Sequence, residues 1–267
     1  LMGTVTSAPC VAVEAETAAD NMFQLTPSGS AEDCIKEANA FRMCFSDPEQ
    51  GTLSADYIAD NNLAAKVAVI YDSSDPYSSG IRDAFVTEAG VKNLEIVADE
   101  AFTADNNTDF NVQLQKAKSA GAELVFMPFY YSQAALVLQQ AAAMDYKPVF
   151  FGCDGMDGLL AVENFDTSLA EGVMLMTPFT AAATDDMTAS FVKAYNDAYG
   201  QDPNQFAADA YDCIYAIDAA IQKAGITGDM DASAICDALK GAFTEITLDG
   251  LTGKGITWDA SGAPTKS

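Results

Sequence analysis

The sequence predicts an α/β protein made of two interleaved, doubly wound lobes joined by a hinge. Three observations lead there. From Lys66 onward, apolar strand runs alternate with helical patterns. After Phe179, three long helical patterns follow one another with no strand between them, so they need a sheet that lies elsewhere in the chain. The spare strands are at the N-terminus, so the chain makes one lobe, crosses to a second and returns.

At the start, "LMGTV" and "NMFQLTP" (21–27) read as two strands separated by a helix, and "AFRMCF" (40–45) as a third. "KVAVIYD" (66–72) is a continuous apolar run suited to a buried parallel strand. "SSGIRDAFVTEAG" (78–90) follows with helical spacing and a terminal glycine. The alternation continues with a strand at 94–102, a helix at 108–121, a strand at 122–129, a helix at 132–145, and strands at 148–154 and 172–179. The three uninterrupted helices are expected at 185–199, 204–224 and 231–243. "GLTGKG" (250–255) lacks the spacing of a phosphate loop and reads as a hairpin. "GITWDASGAP" (255–264) reads as a short strand and a turn that cross over once more. The expected lobes are therefore 1–47 plus 180–247, and 48–179 plus 248–267.

Composition narrows the function. The chain has 267 residues, 49% of them hydrophobic, enough for well-formed cores. Thirteen Lys and Arg stand against 39 Asp and Glu, a formal charge of -26 that repels nucleic acid and anionic membranes. The acidity is scattered, as on a solvated surface. The absence of histidine removes the commonest general base and zinc ligand, and no nucleophile elbow, Walker loop or dinucleotide fingerprint is present. No catalytic residue, metal or cofactor is expected. Carboxylate pairs such as Asp154 with Asp157 or Glu163 with Asp166 can be drawn, but such pairs are abundant in so acidic a chain.

The six cysteines stand singly, with no C-x-x-C pair. Cys213 and Cys236 lie on consecutive helical patterns that could pack together, Cys34 and Cys44 flank a short connection, and free core thiols are an equal alternative in each case. No apolar run reaches membrane-spanning length. An exported form would have lost its targeting segment before residue 1.

In open α/β sheets, ligands bind beyond the carboxyl ends of the strands. In lobe one, "TVTSAP" places Ser7 to cap a helix with Pro9 in its first turn, and "LTPSGSAED" places Ser30 to cap the next. Together Ser7, Ser28 and Ser30 could hold a carboxylate; singly each reads as an ordinary cap. In lobe two, Tyr77, Tyr130 with Tyr131, and Asp154 stand at strand ends predicted to share one edge. Asp154 could pair with a ligand ammonium and the tyrosines could close over an apolar side chain. Their bland alternatives are a surface turn and packing aromatics.

The ordered set "TSAPCVAVEAETAADNMFQLTPSGSAED", "FRMCFSDPEQGTLSADYI", "KVAVIYDSSDPYSSG", "FMPFYYSQAALVLQQA", "FFGCDG", "AADAYDCIYAIDAAI" and "LDGLTGKGITWDASGAP" resembles the type I periplasmic binding proteins of branched-chain amino acid transporters along essentially the whole chain. The resemblance implies a hinged receptor, periplasmic or extracellular with or without a lipid anchor, that captures an amino acid and delivers it to an ABC transporter permease. It matches Ser7, Ser28 and Ser30 to the family's α-carboxylate loops, Tyr77 and Tyr130 to its aromatic positions, and Asp154 to the acidic residue that meets the α-ammonium. Ser28 and Gly29 replace the usual alanines. The resemblance also implies that lobe one is incomplete, lacking two βα units before "TSAP", with self-association through its exposed sheet edge or partial disorder as the expected consequence. The alternatives are a sensory ligand-binding module and a fragment that binds nothing.

Overall fold

A computed structural model describes residues 1–266. In chain order its elements are α1 (Ser7–Ala19), β1 (Gln24–Thr26), β2 (Ala40–Arg42), α2 (Asp47–Asp60), β3 (Lys66–Asp72), α3 (Pro76–Lys92), β4 (Glu95–Phe102), α4 (Asn111–Ser119), β5 (Leu124–Met127), α5 (Tyr131–Ala143), β6 (Val149–Gly152), β7 (Met174–Leu175), α6 (Asp186–Tyr199), α7 (Gln205–Ala224), α8 (Ala232–Phe243), β8 (Thr257–Trp258) and β9 (Pro264–Thr265). The chain divides into two units, Leu1–Ser46 with Pro178–Ser267, and Asp47–Thr177.

The second unit is a parallel sheet in the order β4-β3-β5-β6-β7. Strand alternation assigns its two faces: Val67, Val69, Leu124 and Phe126 enter one apolar cluster, while Ala68, Ile70, Val125 and Met127 enter the other. Burial on both faces is why "KVAVIYD" is apolar throughout. Phe85 of α3 stacks on Phe126 with ring centroids 3.9 Å apart. Helix α2 was not anticipated as a helix. It crosses α3 at Gly51, where an added Cβ would lie 2.4 Å from the Ile81 carbonyl oxygen. A groove of about 720 Å³, lined by residues including Leu53, Tyr57, Phe151, Met174 and Met176, runs beside the edge strand β7.

In the first unit β1 pairs with β2 in parallel, and the expected opening strand is reduced to a single parallel bridge between Met2 and Leu25. The core joins Phe23, Leu25 and Phe41 to α7 and α8 through Cys213, Ala216, Leu239 and Phe243. Three helix starts follow from capping, since Asp185, Asn204 and Asp231 accept hydrogen bonds from Thr188, Ala207 and Ala234 backbone N–H groups. Gly200 and Gly225 end α6 and α7 in the left-handed conformation.

The C-terminal segment corrects one expectation. Residues 248–267 were assigned to lobe two, but the structure groups them with the first unit. Trp258 packs edge-on against Phe243 and its indole N–H donates to the Arg42 carbonyl at 2.8 Å, so both its apolar area and its donor are satisfied there. Gly262, at φ +80°, accepts from Arg42 N–H and approaches Ala40 too closely for a side chain. The "GITWDASGAP" segment forms the β8–β9 hairpin rather than a crossover. In "GLTGKG" the expected hairpin turn is present: Leu248 pairs with Ile256, and Gly250 N–H bonds to the Gly253 carbonyl.

That turn is held from α7. The buried Asp212 carboxylate accepts from Leu251 N–H, Thr252 N–H and the Thr252 hydroxyl, each at 2.8 Å. Asp212→Ala strands these donors and is expected to cost on the order of 2–3 kcal/mol. Because Trp258 is the chain's one tryptophan, its fluorescence follows the first unit during denaturant unfolding. The midpoint should fall for Asp212→Ala; an unchanged midpoint would contradict the anchoring role.

Candidate functional site

The two groups of candidate residues lie one in each unit. In the second unit the strand order places the switch point between β3 and β5: the chain leaves β3 toward β4 on one side, then returns to build β5, β6 and β7 on the other. Loops that follow strands at such a point diverge and leave room for a ligand. Tyr77 follows β3, Tyr130 follows β5, and Asp154 follows β6.

The local sequence fixes each of these. Asp75 caps α3 by accepting from Tyr77 N–H at 3.1 Å, with Pro76 in the first turn, which sets Tyr77 at the helix start. Tyr130 is the extended residue preceding α5. Asp154 opens a short 3₁₀ turn and is 2% exposed. The three side chains meet. The Tyr77 hydroxyl donates to Asp154 Oδ1 at 2.6 Å and accepts from Gly155 N–H at 2.8 Å, while its ring stacks on Tyr130 with centroids 4.8 Å apart. Gly155 is required by this packing, because a Cβ would lie 2.7 Å from the Tyr77 hydroxyl oxygen and 3.0 Å from the Tyr130 ring.

Electrostatics keep the phenol a donor. Burial, reinforced by the neighbouring Asp154 charge, pushes the Tyr77 hydroxyl well above its ordinary range. The same two causes push the adjacent Cys153 thiol up. A buried carboxylate supported by a phenol and faced by aromatic rings is suited to an ammonium group.

Gln50 is a member that sequence reasoning missed. Its side-chain oxygen accepts from Asp154 N–H at 3.2 Å, and its buried Nε2 has no hydrogen-bond partner among the described residues. The signal was the unread helix α2, which begins at Asp47-Pro48 and turns Gln50 inward together with Ser54, Ala55 and Ile58.

In the first unit the structure brings Ser7, Ser28 and Ser30 together, all buried, but not as helix caps. Thr6, not Ser7, is the N-cap of α1 and makes no side-chain cap bond; Ala31 precedes the 3₁₀ turn Glu32–Ile35, likewise without one. Ser7 Oγ instead accepts from Ser30 N–H at 3.2 Å and Ala31 N–H at 3.1 Å, tying the loop after β1 to the start of α1. Gly29 N–H bonds to Thr26 Oγ1, and Arg42, buried on β2, donates to the Ser30 carbonyl at 2.9 Å.

The three hydroxyls differ in what they have left to give. Ser28 donates to Asp209 Oδ2 at 3.0 Å. Ser30 Oγ has no hydrogen-bond partner among the described residues and so retains a hydroxyl proton for an incoming acceptor, whereas the Ser7 hydroxyl, besides accepting the two N–H groups, meets the Cys34 thiol. Asp209 was also missed. Its signal was two carboxylates, Asp209 and Asp212, three residues apart on the face of α7 that buries Ala208, Cys213 and Ala216.

A model of the family described as "Periplasmic binding protein" matches residues 1–267. The chain is 29% identical over 243 residues to Leu/Ile/Val-binding protein homolog 3 of Brucella melitensis biotype 1, covering 88% of this chain and 63% of that relative, and so spans under two thirds of its length. A leucine-binding protein, LivK, from Thermotoga maritima superposes with a TM-score of 0.86 at 25% identity, over 100% of this chain and 74% of that one. LivJ from Streptococcus pneumoniae, solved in complex with isoleucine, gives 0.82 at 25% identity over 99% of this chain and 73% of that one. With the family model matched from end to end and the parallel sheet and switch point in place, the chain belongs to the periplasmic binding protein family and has the type I fold of its structural neighbours.

Proposed function

We propose that this protein is an extracytoplasmic receptor that captures a branched-chain or similar small amino acid and delivers it to the permease of an ABC importer. The observation that carries the reading is the Tyr77–Asp154–Tyr130 group at the switch point of the second unit. In this reading Asp154 receives the ligand's α-ammonium, with Tyr77 holding one carboxylate oxygen and Tyr130 covering the apolar side. The α-carboxylate goes to the Ser7–Ser30 loop, where the Ser30 hydroxyl proton is unspent, while Ser28 shapes the loop through Asp209. No covalent step is required; binding is by charge, hydrogen bonds and apolar contact. The binding-protein names of the Brucella, Thermotoga and Streptococcus relatives support the ligand class.

Thermal unfolding against the standard amino acids at millimolar concentration tests this. A ligand that binds only the folded protein at about 100 times its Kd adds about 2.7 kcal/mol of stability. Leucine, isoleucine or valine should raise the midpoint, and a panel without any shift would contradict the proposal. Asp154→Asn should abolish the shift, and Ser30→Ala should weaken binding by about tenfold, the equivalent of one modest hydrogen bond.

A further inference from the structure

Behind the serine loop lies a small cluster made of Cys10, Ala31 and Cys34, with Val11 packed against it. Cys10 lies on α1, one turn after Ser7, and Cys34 lies on the 3₁₀ turn that follows Ser30. Both residues are fully buried free thiols. Cys34 Sγ is 3.7 Å from the Ser7 carbonyl oxygen, and Cys10 Sγ is 3.9 Å from the Cys34 carbonyl oxygen, so each sulfur reaches across to the segment that bears the other. Gln24 Nε2 donates to Cys10 Sγ at 3.3 Å. Gly29 of the serine loop packs on the same sulfur: a Cβ there would stand 3.2 Å from Cys10 Sγ.

We infer that Cys10 and Cys34 are a disulfide-forming pair, a covalent modification site that fastens the start of α1 to the loop carrying Ser28 and Ser30. The contact between the thiols also sets their reactivity. A hydrogen bond from the Cys34 thiol, opposed by burial, pulls the Cys10 thiol down to about 7, and the same hydrogen bond together with burial pushes Cys34 upward. Cys10 is therefore the attacking thiolate. It displaces one thiol from a small disulfide oxidant to give a mixed disulfide at Cys10. Cys34 then loses its proton and attacks the Cys10 sulfur, expelling the second thiol. Two electrons pass from the cysteine pair to the oxidant, whose two sulfurs leave as thiols carrying the two protons. The extracytoplasmic setting of the family favours the oxidised form. Pairing is independent of which solute binds; only its effect on the carboxylate loop rests on the proposed function.

The test uses the full chain, reduced and unfolded, refolded in oxidised glutathione, then unfolded in urea at neutral pH and labelled with N-ethylmaleimide. Four of the six cysteines should label, and peptide mapping should return Cys10 joined to Cys34. Oxidation should raise the Tm by several degrees, and the rise should vanish in Cys10→Ala and in Cys34→Ala. Labelling of all six thiols, a stable glutathione adduct on Cys10 without closure, or a bridge from Cys34 to Cys44 would overturn the pairing.

Discussion

The structure turns on a carboxylate held out of water. Asp154 sits at the end of β6 with 2% of its surface exposed. Burying such a charge costs several kcal/mol unless donors or a counter-charge offset it. Tyr77 supplies one donor at 2.6 Å, and the backbone of the same turn is tied to Tyr77 through Gly155 and to α2 through Gln50. These ties fix the position of the carboxylate.

In the first unit the loop after β1 buries neutral hydroxyls, those of Ser7, Ser28 and Ser30. Arg42, buried on β2, donates to the carbonyls of Ser30 and Ala31 and so holds the loop's shape. Asp209 restrains Ser28 from the α7 side. The loop is thus pinned by Ser7, Thr26, Arg42 and Asp209, and the Ser30 hydroxyl keeps its proton to spare.

Much of this was legible from residue order. The apolar runs of β3 and β5 and the glycine and Asx boundaries of α6 and α7 follow from periodicity and capping. Tyr77, Tyr130 and Asp154 were legible as strand-end residues sharing one edge, and the strand order shows why they converge. What was not legible depended on long-range partners. Ser7 has the local sequence of a helix cap, yet its hydroxyl takes N–H groups from Ser30 and Ala31, more than twenty residues away. Trp258 lies in a segment whose turn pattern fits either unit, and only its contact with Phe243 and Arg42 decides between them. Gln50 and Asp209 are polar residues on buried helix faces, and in a chain with 39 acidic residues one buried carboxylate does not stand out by composition.

The most direct measurement is calorimetric titration of leucine and of 4-methylpentanoate, which is leucine without its ammonium, into the wild-type protein and into Asp154→Asn. If Asp154 meets the ammonium, the two deletions remove the same interaction and their costs are non-additive: losing the ammonium is expensive in the wild type and cheap in the variant, with a coupling of at least about 1.4 kcal/mol. Equal losses in both proteins would show that Asp154 does not hold the ammonium and would contradict the assignment on which the proposed function rests.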